Sequence, residues 1–131
     1  MDDFEARFFE KMPEAIPLYE AVKDRIFSSM KDVNIKIGKS QISFYYEKSF
    51  AFVWLPVRKI KNRPDTYIIL SFGLGHQVES PRIAEAVEPY PGRWTHHVII
   101  QDEEEIDEEI MDWLRQAYEF STNRKSHPGD V

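Results

Sequence analysis

Apolar and polar positions change period twice along this chain, and each change marks a switch between helix and strand. Phe4, Phe8 and Phe9 predict a short amphipathic opening of one or two helical turns. Pro13 or Pro17 then opens a longer helix, because proline is tolerated in a first helical turn. Leu18, Val22, Ile26 and Met30 recur at i+4, flanked by Tyr19 and Phe27, and the stripe runs out near Lys31-Asp32.

From Val33 the period becomes two. Val33 to Ile37 alternates, and Gly38-Lys39-Ser40 reads as its turn. Ile42, Phe44 and Tyr46 alternate with Gln41, Ser43 and Tyr45, which is the pattern of a half-buried strand. Glu47-Lys48-Ser49 predicts a hairpin loop into Phe50–Val57, apolar on both faces and therefore central. Arg58 to Thr66 is a polar connection. Tyr67 to Leu74 is the next strand, with Ile68, Leu70, Phe72 and Leu74 on one face. Gly75 to Gly92 reads as a long connection in which Ser80-Pro81 could cap one helical turn, and Arg93 to Ile100 is the fifth strand.

The helical period returns at the end. Asp102 and Glu105 have capping-box spacing, and Ile106, Ile110, Trp113, Leu114, Ala117 and Tyr118 make a core-facing stripe. The expectation is a two-layer α+β fold: N-terminal helices, about five mainly antiparallel strands, and a C-terminal helix on the same sheet face. Residues 1–120 form a single domain on this reading, and the polar residues 121–131 a flexible C-terminal tail.

Composition narrows the chemistry. The 131 residues suffice for one domain with a real core. There is no cysteine, which excludes disulfides, thiolate zinc sites and cysteine nucleophiles. The acidic start lacks the basic and apolar regions of a signal peptide, and no apolar run nears the roughly 20 residues that span a bilayer. The cytoplasm, with no membrane association, is the expected location. Charge is uneven: residues 1–32 carry 5 bases and 8 acids, residues 33–100 carry 9 and 5, and residues 101–131 carry 3 and 10. A basic middle between acidic ends suits an anionic partner.

Arg93-Trp94-Thr95-His96-His97 is the richest stretch of candidate chemistry. Strand alternation splits its histidine pair. His96 goes with Trp94, Val98 and Ile100 toward the helices, and His97 goes with Arg93 and Thr95 to the other face. The two cannot chelate one metal together. The same parity puts Ser43, Tyr45, Tyr67 and Ser71 on the face with His97. Polar tips on aromatic bodies suit ligand contact there, and equally suit a plain solvated face.

The leading expectation is a non-enzymatic binding module for a small anionic ligand or a protein partner. Arg93 and His97 supply charge and hydrogen bonds, Tyr45 and Tyr67 supply contact area, and Lys39 and Arg82 are secondary. A nucleic-acid accessory role through Arg58, Lys59, Lys61 and Arg63 is the first alternative. A metal-dependent or hydrolytic enzyme is the second. No metal or cofactor site and no catalytic residue is assigned: the acidic run after Asp102 lacks a calcium loop's glycine, Gly73-Leu74-Gly75-His76 lacks phosphate-loop spacing, and no serine sits in a nucleophile elbow. An exposed strand edge would allow a homodimer.

Several blocks resemble a family. They include Phe8-Phe9, Leu18-Tyr19, Lys39-Ser40 with Ile42-Ser43-Phe44, Phe50-Ala51-Phe52 and Ser80-Pro81-Arg82-Ile83. Arg93-Trp94-Thr95-His96-His97-Val98, Ile106-Asp107-Glu108-Glu109, Trp113-Leu114 and Ala117-Tyr118 continue the series. Together they resemble a small bacterial family of domains of unknown function, some labelled predicted transport proteins. The resemblance spans roughly residues 4 to 120 and implies a whole domain of that type. It assigns no role to any residue. Related domains joined to nuclease-like modules favour the nucleic-acid alternative.

Overall fold

The computed structural model describes residues 2–56, 61 and 63–123. Helix α1 (Asp3–Phe8) is held by a capping box, in which the Asp2 side chain accepts from the Glu5 N–H and Glu5 accepts from the Asp2 N–H. A 3-10 turn, Pro13–Ala15, leads into α2 (Ile16–Ser29). Six strands follow: β1 (Asn34–Ile37), β2 (Gln41–Tyr46), β3 (Lys48–Trp54), β4 (Ile68–Leu74), β5 (Ile83–Tyr90) and β6 (Arg93–Ile100). Helix α3 (Glu108–Asn123) closes the described chain.

All pairings are antiparallel, in the order β1-β2-β3-β4-β6-β5. The five expected strands do lie side by side in chain order. The sixth, β5, lies within what read as a connection, and it sits outside β6 at the sheet edge. It lacks alternation for a physical reason. Most of its residues are exposed, Pro89 interrupts it, and its register on β6 shifts twice. An edge strand has no second neighbour to impose a buried face. Ser80-Pro81 does not start a helical turn: the Ser80 carbonyl accepts from the Ile83 N–H at 3.0 Å, a tight turn into β5.

Other boundaries moved as well. Glu47 alone, at φ 61°, separates β2 from β3, so Lys48 and Ser49 belong to the strand. The capping box at Asp102 and Glu105 holds a 3-10 turn, Glu103–Glu105, and α3 starts afresh with Asp107 accepting from the Ile110 N–H. The helix then runs past residue 120 to Asn123, with Ser121 buried. Residues 124–131, the rest of the expected tail, lie outside the described residues.

Both long helices cover one sheet face, as the stripes required. Tyr19 of α2 meets Phe44, and Trp113 of α3 stacks on Phe72. The core between the layers includes Ile26, Ile42, Val53, Leu70, Val98, Ile110 and Leu114, all buried. A bulge places both Phe50 and Ala51 opposite Phe44, which turns both inward and seats Phe50 edge-on against Tyr118. No described helix covers the other sheet face.

Candidate functional site

His96 belongs to the core. It is fully buried, lies parallel to Phe72 at 5.2 Å, and accepts the Val78 N–H at its Nε2 over 2.8 Å. That bond fixes the crossing from β4 to β5. Its Nδ1 has no hydrogen-bond partner. Burial pushes His96 below its usual pKa, aided by His76 and His97 and opposed by the Phe72 carbonyl.

His97 faces the other way, in a row set by strand register. Ser43, Phe52, Ser71, His97 and Glu85 sit across β2, β3, β4, β6 and β5. Ser71 Oγ and His97 Nδ1 are 2.6 Å apart. This bond fixes the imidazole and leaves Nε2 as its other ring nitrogen. Burial lowers the His97 pKa, partly offset by Glu85, so the ring is neutral at pH 7. Ser71 itself is fully buried and Ser43 nearly so, because larger neighbours in the row shield them.

Beside this row lies a depression of about 190 Å³, lined by Trp54, Arg63, Ile69, Ala84, Glu85, His97 and Ile99. Register places Trp54, Ile69 and Ile99 side by side. The β5 bulge, where Ile83 and Glu85 pair with Val98 and His97, brings Ala84 and Glu85 to the same opening. Arg63 reaches it from the β3–β4 connection. The buried Nε1–H of Trp54 has no acceptor. Among the described residues, Arg63 makes no hydrogen bond or ion pair. The site therefore brings Arg63 and His97 together above an apolar floor. At this size it lies below the roughly 300–1,000 Å³ of drug-sized pockets.

Only part of the expected set converges here. His97 and Ser71 do. Arg93 shares the face but lies four residues along β6, about 13 Å by strand rise. Its guanidinium covers Gly73 so closely that a Cβ there would come within 2.6 Å of Cζ. Thr95 lies half-buried between them. Tyr45 is half-buried on β2, three strands from β6, and Tyr67 is buried at the entry to β4 with its hydroxyl unpaired. Lys39 is exposed in the β1–β2 turn.

Arg82 is committed elsewhere. Its Nη1 bonds Asp107 at 2.9 and 3.0 Å and Glu109 at 3.1 Å, while Nη2 bonds the Glu105 carbonyl. It ties the start of β5 to the start of α3. From the basic run, Lys61 is exposed and Arg63 turns to the depression, whereas Arg58 and Lys59 lie outside the described residues.

Trp54 and Glu85 are the residues that sequence reading missed. Parity on β3 would have placed Trp54 opposite inward Ala51 and Val53. No sequence signal marked Glu85, because its strand was not recognised.

The site thus stands on the face that no described helix covers, in a two-layer α+β domain with a six-stranded antiparallel sheet. The chain belongs to the family described as Domain of unknown function (DUF5655), whose model matches residues 5–121. Neither the curated proteins nor the solved structures contain a match to it. No described helix is long and apolar enough to cross a membrane, and no described cluster of three or more histidine or acidic residues could hold a metal ion.

Proposed function

We propose that this domain is a non-catalytic binding module that receives the carboxylate of a small ligand in the depression beside His97. The observation carrying this reading is the convergence of Arg63 and His97 on one apolar floor that includes Trp54, Ile69 and Ile99. A carboxylate offers the guanidinium fork two acceptors. The burial of Ser71 supports binding over hydrolysis: a hydroxyl enclosed under its row neighbours and bonded to His97 cannot reach a substrate carbonyl.

The nucleic-acid alternative finds less support on the described surface, where Lys61 and Arg63 do not form a stripe. Edge pairing into a homodimer is opposed by Pro89 and the two register shifts on β5, and by the shortness of β1.

Titration calorimetry with 4-methylpentanoate tests the reading. Saturable binding by the wild type, lost in Arg63→Met while the melting temperature holds, is the expected result. Absence of heat with the wild type, or equal binding by Arg63→Met, overturns it.

A further inference from the structure

Glu85 restricts what the depression can hold. It lines the same opening as Arg63, yet the two form no ion pair, and Glu85 makes no side-chain hydrogen bond to a described residue. Opposite charges at one small site normally close on each other when they can. Here Ile69, Ile99 and Ala84 also line the opening, and they offer no side-chain polar atom.

A simple carboxylate would satisfy Arg63 but leave its own charge near the carboxylate of Glu85. A simple amine would satisfy Glu85 and face the guanidinium. A ligand with both groups matches both ends. The apolar lining calls for an aliphatic body between or beside them. The depression is small, about 190 Å³, which favours a compact ligand.

We infer that the depression binds a free aliphatic α-amino acid, with its carboxylate on Arg63, its ammonium on Glu85, and its side chain against Ile69 and Ile99. This rests on the reading of the depression as a carboxylate site. His97 fits the arrangement, because a neutral imidazole held by Ser71 does not repel the ammonium and can accept from it at Nε2.

Three probes that differ by one group each test the inference by calorimetry: L-leucine, 4-methylpentanoate, which lacks the ammonium, and 3-methylbutylamine, which lacks the carboxylate. The expected order on the wild type has leucine at least about tenfold tighter than either other probe. Glu85→Gln should weaken leucine by about tenfold and leave 4-methylpentanoate unchanged or tighter. Arg63→Met should abolish binding of both acids. If 4-methylpentanoate binds the wild type as tightly as leucine, or Glu85→Gln leaves leucine unchanged, the amino-acid inference falls and the carboxylate reading stands. If 4-methylpentanoate does not bind the wild type, the carboxylate reading falls and this inference with it. Unchanged thermal melts of the two variants separate these outcomes from misfolding.

Discussion

Glu5 is the most consequential charged residue in the core, and its removal gives a sharp test of the packing account. It is 5% exposed. Its carboxylate accepts from the Tyr19 hydroxyl, from Lys23 Nζ at 2.8 Å and from the Asp2 N–H at 3.1 Å. These bonds dock α1 onto α2. A hydrogen bond to a charged group contributes about 1.5–3 kcal/mol, and removing one partner of a buried pair costs about 3–5 kcal/mol. Lys23 keeps 23% of its side-chain exposure and can turn to water, so the lower end applies. Glu5→Gln should cost about 2 kcal/mol, because the amide NH₂ meets donors. Glu5→Ala should cost about 3 kcal/mol, with the capping box lost as well, and Tyr19→Phe about 1.5 kcal/mol. Urea unfolding followed by far-ultraviolet circular dichroism reads these values directly.

The pH dependence of the same comparison carries a sign. Burial pushes the Glu5 carboxyl up, but hydrogen bonds from Lys23, Tyr19 and Asp2 and the Lys23 charge outweigh it, so its pKa lies below the ordinary carboxylate range. A depressed folded pKa gives stability that is full above the unfolded value of about 4.3 and lost as pH falls through the folded value. The gap between wild type and Glu5→Gln should therefore narrow on acidification below about pH 4.3. A Glu5→Gln variant within about 0.5 kcal/mol of wild type at pH 7, or a gap that widens in acid, refutes the reasoning.

Three further outcomes follow from other contacts. Arg82→Ala should lower the urea midpoint by the equivalent of about 1 kcal/mol, and Arg82→Lys should not restore it, since an ammonium lacks the fork that spans Asp107 and the Glu105 carbonyl. Gly92, at φ 84° in the β5–β6 turn after Pro91, should cost about 1 kcal/mol when replaced by alanine, although no atom lies within 4 Å of the added Cβ; an unchanged melt contradicts this. His96, whose folded pKa is lowered chiefly by burial, should make stability fall as pH drops below the unfolded value of about 6.5 and on toward the folded one. An NMR titration of its ring protons with a midpoint at or above 6.5 would contradict that.

The layers were legible because their signals are local. Leu18, Val22 and Ile26 repeat along one helix face, and alternation from Trp94 to Ile100 was enough to send His96 inward and His97 outward. β5 was illegible because nothing covers it, so Ala84, Glu85 and Val87 stay exposed and carry no apolar period. The bulge at Phe50 hid in a uniformly apolar run. The depression was legible only in part. His97 and Ser71 followed from parity, but Glu85 arrives through a bulge on an unrecognised strand. Arg63 arrives from a loop whose basic run suggested a different role. Arg93 was the strongest candidate by sequence, and the structure spends it on covering Gly73. Convergence of that kind is set by register across four strands, which no single segment encodes.

The indole of Trp54 lines the depression, so its Nε1–H reports most directly on whether a carboxylate occupies it. Its nitrogen–proton NMR signal, assigned by its loss in Trp54→Phe, can be followed during titration with 4-methylpentanoate at constant ionic strength. The account predicts a saturable shift, as the surroundings of the ring change on binding, and no such shift in Arg63→Met. A Trp54 signal that stays still, or that moves equally with sodium chloride, would contradict it.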